Sequence, residues 1–464
     1  MRDAVFRKLR TMMGCAIFAL AIANPSLASI VVDSDVDAPA KVVNGQPVCA
    51  AQIGAELHCT LRAAVQVANY NAGYTKIELK RGTTYLLSLP SRSGSPPGES
   101  GALTIGPVTF AATVVEIVAA GEGDSAAVIT RTADFDDSMF HVTGNGTTAG
   151  GQLELTGVRL VGNMEPGAGL GEAGGAIHCD GGSILSATDS SFEGNASKGR
   201  GGAIALEGGC LARFERTGFD GNRSGSRGGA IDATDSSVIA NAVSFVGNGV
   251  TQPGAEGSAI AVLASRDPAA DGIFIANSTI YGNVSGSSVV YSSSLPWLIT
   301  RNVSAIGNHA SAIFRIQDTS AQLANSVIAD NGDAESLELL GSSFQLQSLG
   351  HNRLWRLAYS AVDGGSAHLI DSDELLFAGS LLEINPATDW PGIVAIPTAD
   401  SPLVGQGGGE IVADGLVYPL CSEFDANLAS RKSIGRCDIG AANFVDHVFG
   451  DGFELLHAME PLQQ

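Results

Sequence analysis

The apolar residues of this chain fall in short runs cut by Gly, Asp, Asn and Ser, as in Ser183-Ile184-Leu185 and Ser237-Val238-Ile239. That punctuation is the composition of brief strands closed by turns. Helical spacing is confined to one place. Leu61, Val65 and Ala68 share a face if Leu61 to Asn69 winds as a helix, which predicts a short amphipathic helix ahead of the strands that begin at Ile77-Glu78-Leu79 and Thr84-Tyr85-Leu86-Leu87.

Two marks recur on top of this pattern. Gly-Gly-Ala-Ile starts at Gly174, Gly201 and Gly228, 27 residues apart each time, with Gly-Ser-Ala-Ile at Gly257. Interleaved with it, an apolar residue stands three places before Asn: Leu160 before Asn163, Phe192 before Asn195, Phe219 before Asn222, Phe245 before Asn248, Ile280 before Asn283 and Ile328 before Asn331. Ala305 takes the apolar place before Asn308. A fixed period of this length is the signature of stacked coils. We therefore expect an all-β, right-handed parallel β-helix, three strands to a coil, with the helix near Leu61 as its N-terminal cap. In such a stack the Phe or Ile fills the interior. The Asn stands in a turn over its equivalents, where side-chain amides bond successive coils. The Gly-Gly pairs admit a tight corner that a Cβ would obstruct.

Length alone would suggest about three domains in 464 residues, but a repeat makes one continuous body with caps. The expected divisions are an export signal at 1–28, an N-terminal cap and first strands at 29–100, coils at 101–345, C-terminal coils and cap at 346–442, and a tail at 443–464. Arg2, Arg7, Lys8 and Arg10 precede the apolar run Met12 to Ala23, and Ser26-Leu27-Ala28 offers small residues for cleavage. The run is too short to span a bilayer. The net charge is −22, and removing residues 1–28 takes away four basic residues and Asp3, leaving −25, a surface that repels nucleic acid and anionic lipid.

Without Cys15 six cysteines remain, an even number suited to disulfides in an exported chain. Sequence order favours Cys49 with Cys59, Cys179 with Cys210 and Cys421 with Cys437. No Cys-x-x-Cys pair suggests zinc.

The Gly-Gly-Ala-Ile and Phe-x-x-Asn marks over residues 160–331 resemble the polymorphic outer-membrane-protein type of repeat. Cys49 and the run Cys59-Thr60-Leu61-Arg62-Ala63-Ala64-Val65 resemble the bacterial CSLREAI domain, with Ala63 in place of the usual Glu. Ser401-Pro402-Leu403 with Cys437-Asp438-Ile439-Gly440-Ala441 is similar to the closing segment of such surface proteins, and Phe449 to Glu454 to a tail of exported Gram-negative proteins. The resemblance implies a secreted, cell-surface or outer-membrane location in a Gram-negative bacterium. The implied work is adhesion or another extracellular interaction, with a glycan or surface protein as partner. After residue 335 no series of ten-residue alternating strands suggests an integral membrane barrel, and a monomer is expected.

The same fold hosts polysaccharide lyases and hydrolases, so an enzyme acting on an acidic polysaccharide is the alternative. The 27-residue period puts Asp180 and Glu207 in one turn, with Asp235 one step out of phase, a candidate calcium stack. Arg200 and Arg227 share a phase, suited to an anionic glycan or to pairing with nearby acids. Asp134, Asp136 and Asp137, and the alternating Asp33, Asp35 and Asp37, are further acidic clusters. His351 reads as a turn residue, and the eight histidines, at 58, 141, 178, 309, 351, 368, 447 and 457, look scattered. No local catalytic motif is visible, and no cofactor other than calcium is suggested.

Overall fold

The computed structural model describes most of residues 29–441. Residues 107–111, 145–149, 163–170, 266–270, 285 and short stretches between 362 and 436 lie outside the described residues, as do 1–28 and 442–464. The export signal, Asn163 and the terminal tail fall in those segments.

The chain is the expected parallel β-helix of three faces. Face one is a ten-stranded parallel sheet that runs through Leu103–Ile105, Phe140–Val142, Ile177–Cys179, Ile204–Glu207 and Ile231–Thr234, then through Ile260–Leu263 and Ser288–Ser293 towards Leu357–Ala361. Ile177, Ile204 and Ile231 pair in register, so the 27-residue period is one turn of the solenoid. Faces two and three join in a 19-stranded sheet, because strands such as Leu211–Asp220, Ser237–Val246 and Gly272–Tyr281 run through both. The bend between the two faces is one left-handed residue per coil. Arg216, Ala242, Asn277, Asn302 and Asn325 have φ of 45°, 53°, 49°, 54° and 47°.

The interior is built by the repeat. Phe192, Phe219 and Phe245 are fully buried and stack with centroids 4.9 and 5.1 Å apart, one ring per coil at the spacing of neighbouring strands. Three residues on, the asparagines form a ladder. In each coil from Asn195 to Asn308, the backbone N–H and Nδ2 both donate to Oδ1 of the next asparagine, through Asn222, Asn248, Asn283 and Asn308 to Asn331. Nδ2 also donates to the carbonyl of the apolar residue in the preceding coil, for example Asn222 to Phe192 at 2.9 Å. The first Gly of each Gly-Gly pair has φ of 65° at Gly174, Gly201 and Gly228. A Cβ on the second, at Gly202, would collide with the carbonyl oxygen of Gly229 in the next coil. In these three coils the corner uses both glycines, whereas Ser258 takes the second place in the next copy.

At the N-terminus the helix Leu61–Asn71 is capped by Thr60, whose side chain accepts from the Ala63 N–H. Arg62 beneath it is fully buried against Asp37, Nε to Oδ1 2.6 Å, and also donates to the carbonyls of Gly98 and Gly101. All three local disulfides are present: Cys49–Cys59, Cys179–Cys210 and Cys421–Cys437.

Of the C-terminal coils and cap expected across 346–442, coils occupy the first part. Parallel strands continue only to Glu374–Leu375, and the chain then forms antiparallel hairpins, Leu382–Pro386 with Ile393–Pro397 and Glu410–Ala413 with Leu416–Pro419. This segment lies back along face three. Ala395 N donates to Thr279 Oγ1 and Ala441 N to Ser304 Oγ, so that Ser244, Thr279 and Ser304, which point outward from the coils, are buried. Face three is thus covered over the coils of Ser244, Thr279 and Ser304, while face one keeps outward histidines and charged side chains open to solvent.

Candidate functional site on the ten-stranded face

Each face-one strand sends its flanking residues inward and its middle residue out. Ile177 and Cys179 are buried around His178, as Phe140 and Val142 are around His141. The two histidines pair in register, and their rings stack with centroids 4.9 Å apart and planes 5° from parallel. In the next coils Ala205 and then Asp232 occupy the same outward position. Sequence reading had left these histidines scattered, because an insertion makes their separation 37 residues rather than 27. The legible signal was the shared apolar-His-apolar run, Phe140-His141-Val142 and Ile177-His178-Cys179.

Asp180 follows its strand at the corner towards face two. Its Oδ2 lies 2.8 Å from His141 Nε2, and its Oδ1 accepts from Thr143 Oγ1 at 2.7 Å. Burial pushes the Asp180 carboxyl up, but those two hydrogen bonds and both imidazoles outweigh it and hold its pKa at about 2. His178 moves down from its ordinary value, first because it is buried and then because His141 is beside it, against the pull of Glu207 and Asp180. Its Nε2 is buried without a hydrogen-bond partner, with Glu207 Oε1 3.4 Å away.

Glu207 stands one coil beyond Asp180, as the period predicted, and pairs with Arg200 Nη2. Arg200 Nη1 also lies 3.9 Å from Asp232 Oδ1. Arg227, the Arg200 equivalent, holds Asp232 through Nε at 2.5 Å and donates to Thr234 Oγ1 at 2.9 Å. Asp232 is 1% exposed, whereas His141, His178, Asp180, Arg200, Glu207 and Arg227 are each about a third exposed. Burial raises the Asp232 carboxyl, and the two guanidiniums oppose the rise. Four successive coils thus supply one connected, half-buried network of two imidazoles, two guanidiniums and three carboxylates.

The disulfide Cys179–Cys210 lies directly beneath. It ties the strand that ends beside Asp180 to the residue that follows the Glu207 corner, and so fixes the two carboxylate-bearing turns relative to each other.

The expected acidic stack is brought together only in part. Asp180 and Glu207 flank His178, but Asp235 sits in the turn with φ of 50°, its oxygens accepting from Ser265 N and Oγ. Being one step out of phase turns its side chain off the face, and Asp232 takes the place beside the arginines. The other acidic clusters are held by the chain itself. Asp33 accepts from Cys59 N, and Asp37 from Arg62, Ser88 N and Leu89 N. Asp136 and Asp137 accept from Ser91, and Asp137 also from Ala102 N. His351 is a turn residue, φ 57°, with Nδ1 2.7 Å from the Gln406 carbonyl.

Among the described residues, His141, His178 and Asp180 form a group able to hold a metal ion, each offering a ligand atom within 4.8 Å of the others. No described helix is long and apolar enough to cross a membrane.

No protein family matches the sequence, and no characterised protein is significantly similar to it. Solved structures with a related outline include a rhamnogalacturonan lyase, 10% identical, covering 65% of this chain and 84% of that one at a TM-score of 0.32. The A-modules of two mannuronan C-5 epimerases of Azotobacter vinelandii, AlgE4 and AlgE6, are each 12% identical and cover 68% of this chain. They cover 95% and 92% of the modules, at TM-scores of 0.27 and 0.23. Scores this low bear on neither activity nor substrate.

Proposed function

We propose that this protein is an extracellular β-helix that binds an acidic polysaccharide along face one and cleaves it by β-elimination. The observation that carries the reading is the network itself: His141, His178, Asp180, Arg200 and Glu207 come from three successive coils and meet on one partly exposed strip. The export pattern at residues 1–28, the resemblance of the repeats to those of surface proteins and the three disulfides support the location.

Elimination from a uronate needs a cation on the sugar carboxylate, a base for the proton beside it and a proton for the leaving oxygen. Arg200 is assigned as the cation, since its counter-ion Glu207 is itself a third exposed whereas Arg227 is committed to the buried Asp232. The substrate carboxylate shares the Arg200 guanidinium with Glu207. His178, whose Nε2 has only a long contact with Glu207 Oε1 at 3.4 Å, takes the proton from the carbon next to the carboxylate. The C–H electron pair becomes the new carbon–carbon double bond as the glycosidic C–O bond breaks, and His141, held by Asp180, returns a proton to the departing oxygen.

A second reading, non-catalytic adhesion to a surface glycan, is favoured by one feature: Arg200 and Arg227 already carry counter-carboxylates. A panel of polygalacturonate, alginate and a neutral glucan separates the two readings. Elimination predicts unsaturated uronate from one acidic polymer only, with Arg200→Gln and His178→Gln each about a hundredfold or more slower, the usual worth of a positioned acid–base group. Glycan binding without product supports adhesion, and neither binding nor product rejects both.

A further inference from the structure

We infer that His141, His178 and Asp180 form a binding site for one divalent transition-metal ion. Two imidazoles from adjacent coils and one carboxylate are a donor set suited to zinc or copper rather than calcium, which takes oxygen ligands. Three protein ligands with a solvent-facing side also leave a coordination position open. The ligand atoms lie within 4.8 Å of one another. Tetrahedral zinc, with bonds of about 2.0–2.1 Å, brings its donors to roughly 3.4 Å apart, so side-chain rotation has about an ångström to close while the strands stay in register.

A second observation points the same way. The contact of His178 Nε2 with Glu207 Oε1, at 3.4 Å, is long and leaves this buried nitrogen without a hydrogen bond of good geometry, whereas buried polar atoms in folded proteins nearly always have one. A supporting contact is in place as well: Thr143 Oγ1 donates to Asp180 Oδ1 and orients its carboxylate. With all six cysteines after residue 28 in disulfides, no thiolate among them competes for the ion.

An imidazole that ligates a metal cannot also accept a substrate proton. The ion therefore inhibits the elimination chemistry proposed above, a consequence that rests on that reading, while the binding itself does not.

The test is calorimetric titration of chelator-stripped protein with zinc chloride, together with paramagnetic resonance of the copper-loaded protein. One zinc per chain is expected, with affinity at least tenfold weaker in His141→Gln, His178→Gln and Asp180→Asn. Copper should show coupling to two imidazole nitrogens in the unaltered protein, a readout that needs no variant to fold. His58 also lies beside carboxylates, those of Asp33 and Glu56, so His58→Gln is the control and should bind normally. Absence of binding, one-nitrogen coupling in the unaltered protein or loss of binding in His58→Gln would overturn the inference. Zinc binding without any polysaccharide cleavage sinks only the functional reading, and cleavage without zinc binding sinks only the metal site.

Discussion

Replacing Asn222 by Ala should be among the most damaging single changes in the coil array. Asn222 sits mid-ladder and is fully buried. Its Nδ2 donates to the Phe192 carbonyl and to Asn248 Oδ1, both at 2.9 Å. Its Oδ1 accepts from Asn195 N at 3.0 Å and Asn195 Nδ2 at 3.1 Å. Alanine removes all four bonds. Asn248 Oδ1 keeps the backbone N–H of residue 222, but the Asn195 N–H, one Asn195 amide hydrogen and the Phe192 carbonyl lose a partner inside the protein. At about 1–3 kcal/mol for each buried group left unsatisfied, and allowing for partial relaxation, the loss is on the order of 3–6 kcal/mol. The assay is urea denaturation followed by circular dichroism, against Asn71→Ala at the exposed end of the helix, which should change little. An unfolding free energy for Asn222→Ala within about 0.5 kcal/mol of the control, the range of ordinary surface substitutions, would refute the view that the ladder holds the coils together.

Two further predictions concern other contacts. Glu154 faces Glu116 in the preceding coil, and its carboxyl is raised by burial first and by Glu116 as well, against the opposing hydrogen bond from Gln152. A raised acid favours the protonated form in the folded state, so its contribution is full below the unfolded value of about 4.3 and is lost as pH rises through the folded value. Glu154→Gln should therefore raise the melting temperature at neutral pH and lose that advantage below about pH 4; a pH-independent effect would contradict the assignment. Replacing Cys179 and Cys210 together by Ala, across a separation of 31 residues, should cost about 3–4 kcal/mol on the chain-entropy estimate. It should also weaken glycan binding on face one, and unchanged binding would show that the disulfide does not set the geometry of the Asp180 and Glu207 turns.

How much of this could be read from the sequence depends on how each residue is constrained. The Asn ladder and the Gly-Gly corners were legible because successive coils impose the same demand, an amide under an amide or, at the corners from Gly174 to Gly229, a backbone too close for a Cβ. The capping helix and the three disulfides were legible because their determinants are local. The bend between faces two and three was not, although it recurs in every coil. A left-handed backbone there is met by Gly157, Asp189, Arg216, Ala242, Asn277 and Asn302 alike, so no residue type marks it. The site was half visible. Asp180, Glu207, Arg200 and Arg227 share the phase of the repeat, but His141 precedes the first Gly-Gly mark and an insertion separates it from His178. Asp232 replaced Asp235 because position within the strand, rather than nearness in sequence, decides which carboxylate faces the arginines. The C-terminal hairpins lacked any repeat mark to place them on face three.

The most direct test of the account is mass spectrometry of the products released from the acidic polysaccharide that the protein binds. Elimination at His178 and Arg200 predicts fragments with unsaturated ends, lighter by one water than hydrolysis products, and almost none from His178→Gln. Saturated ends, or unsaturated product undiminished in His178→Gln, would contradict the assignment of face one as an eliminating site.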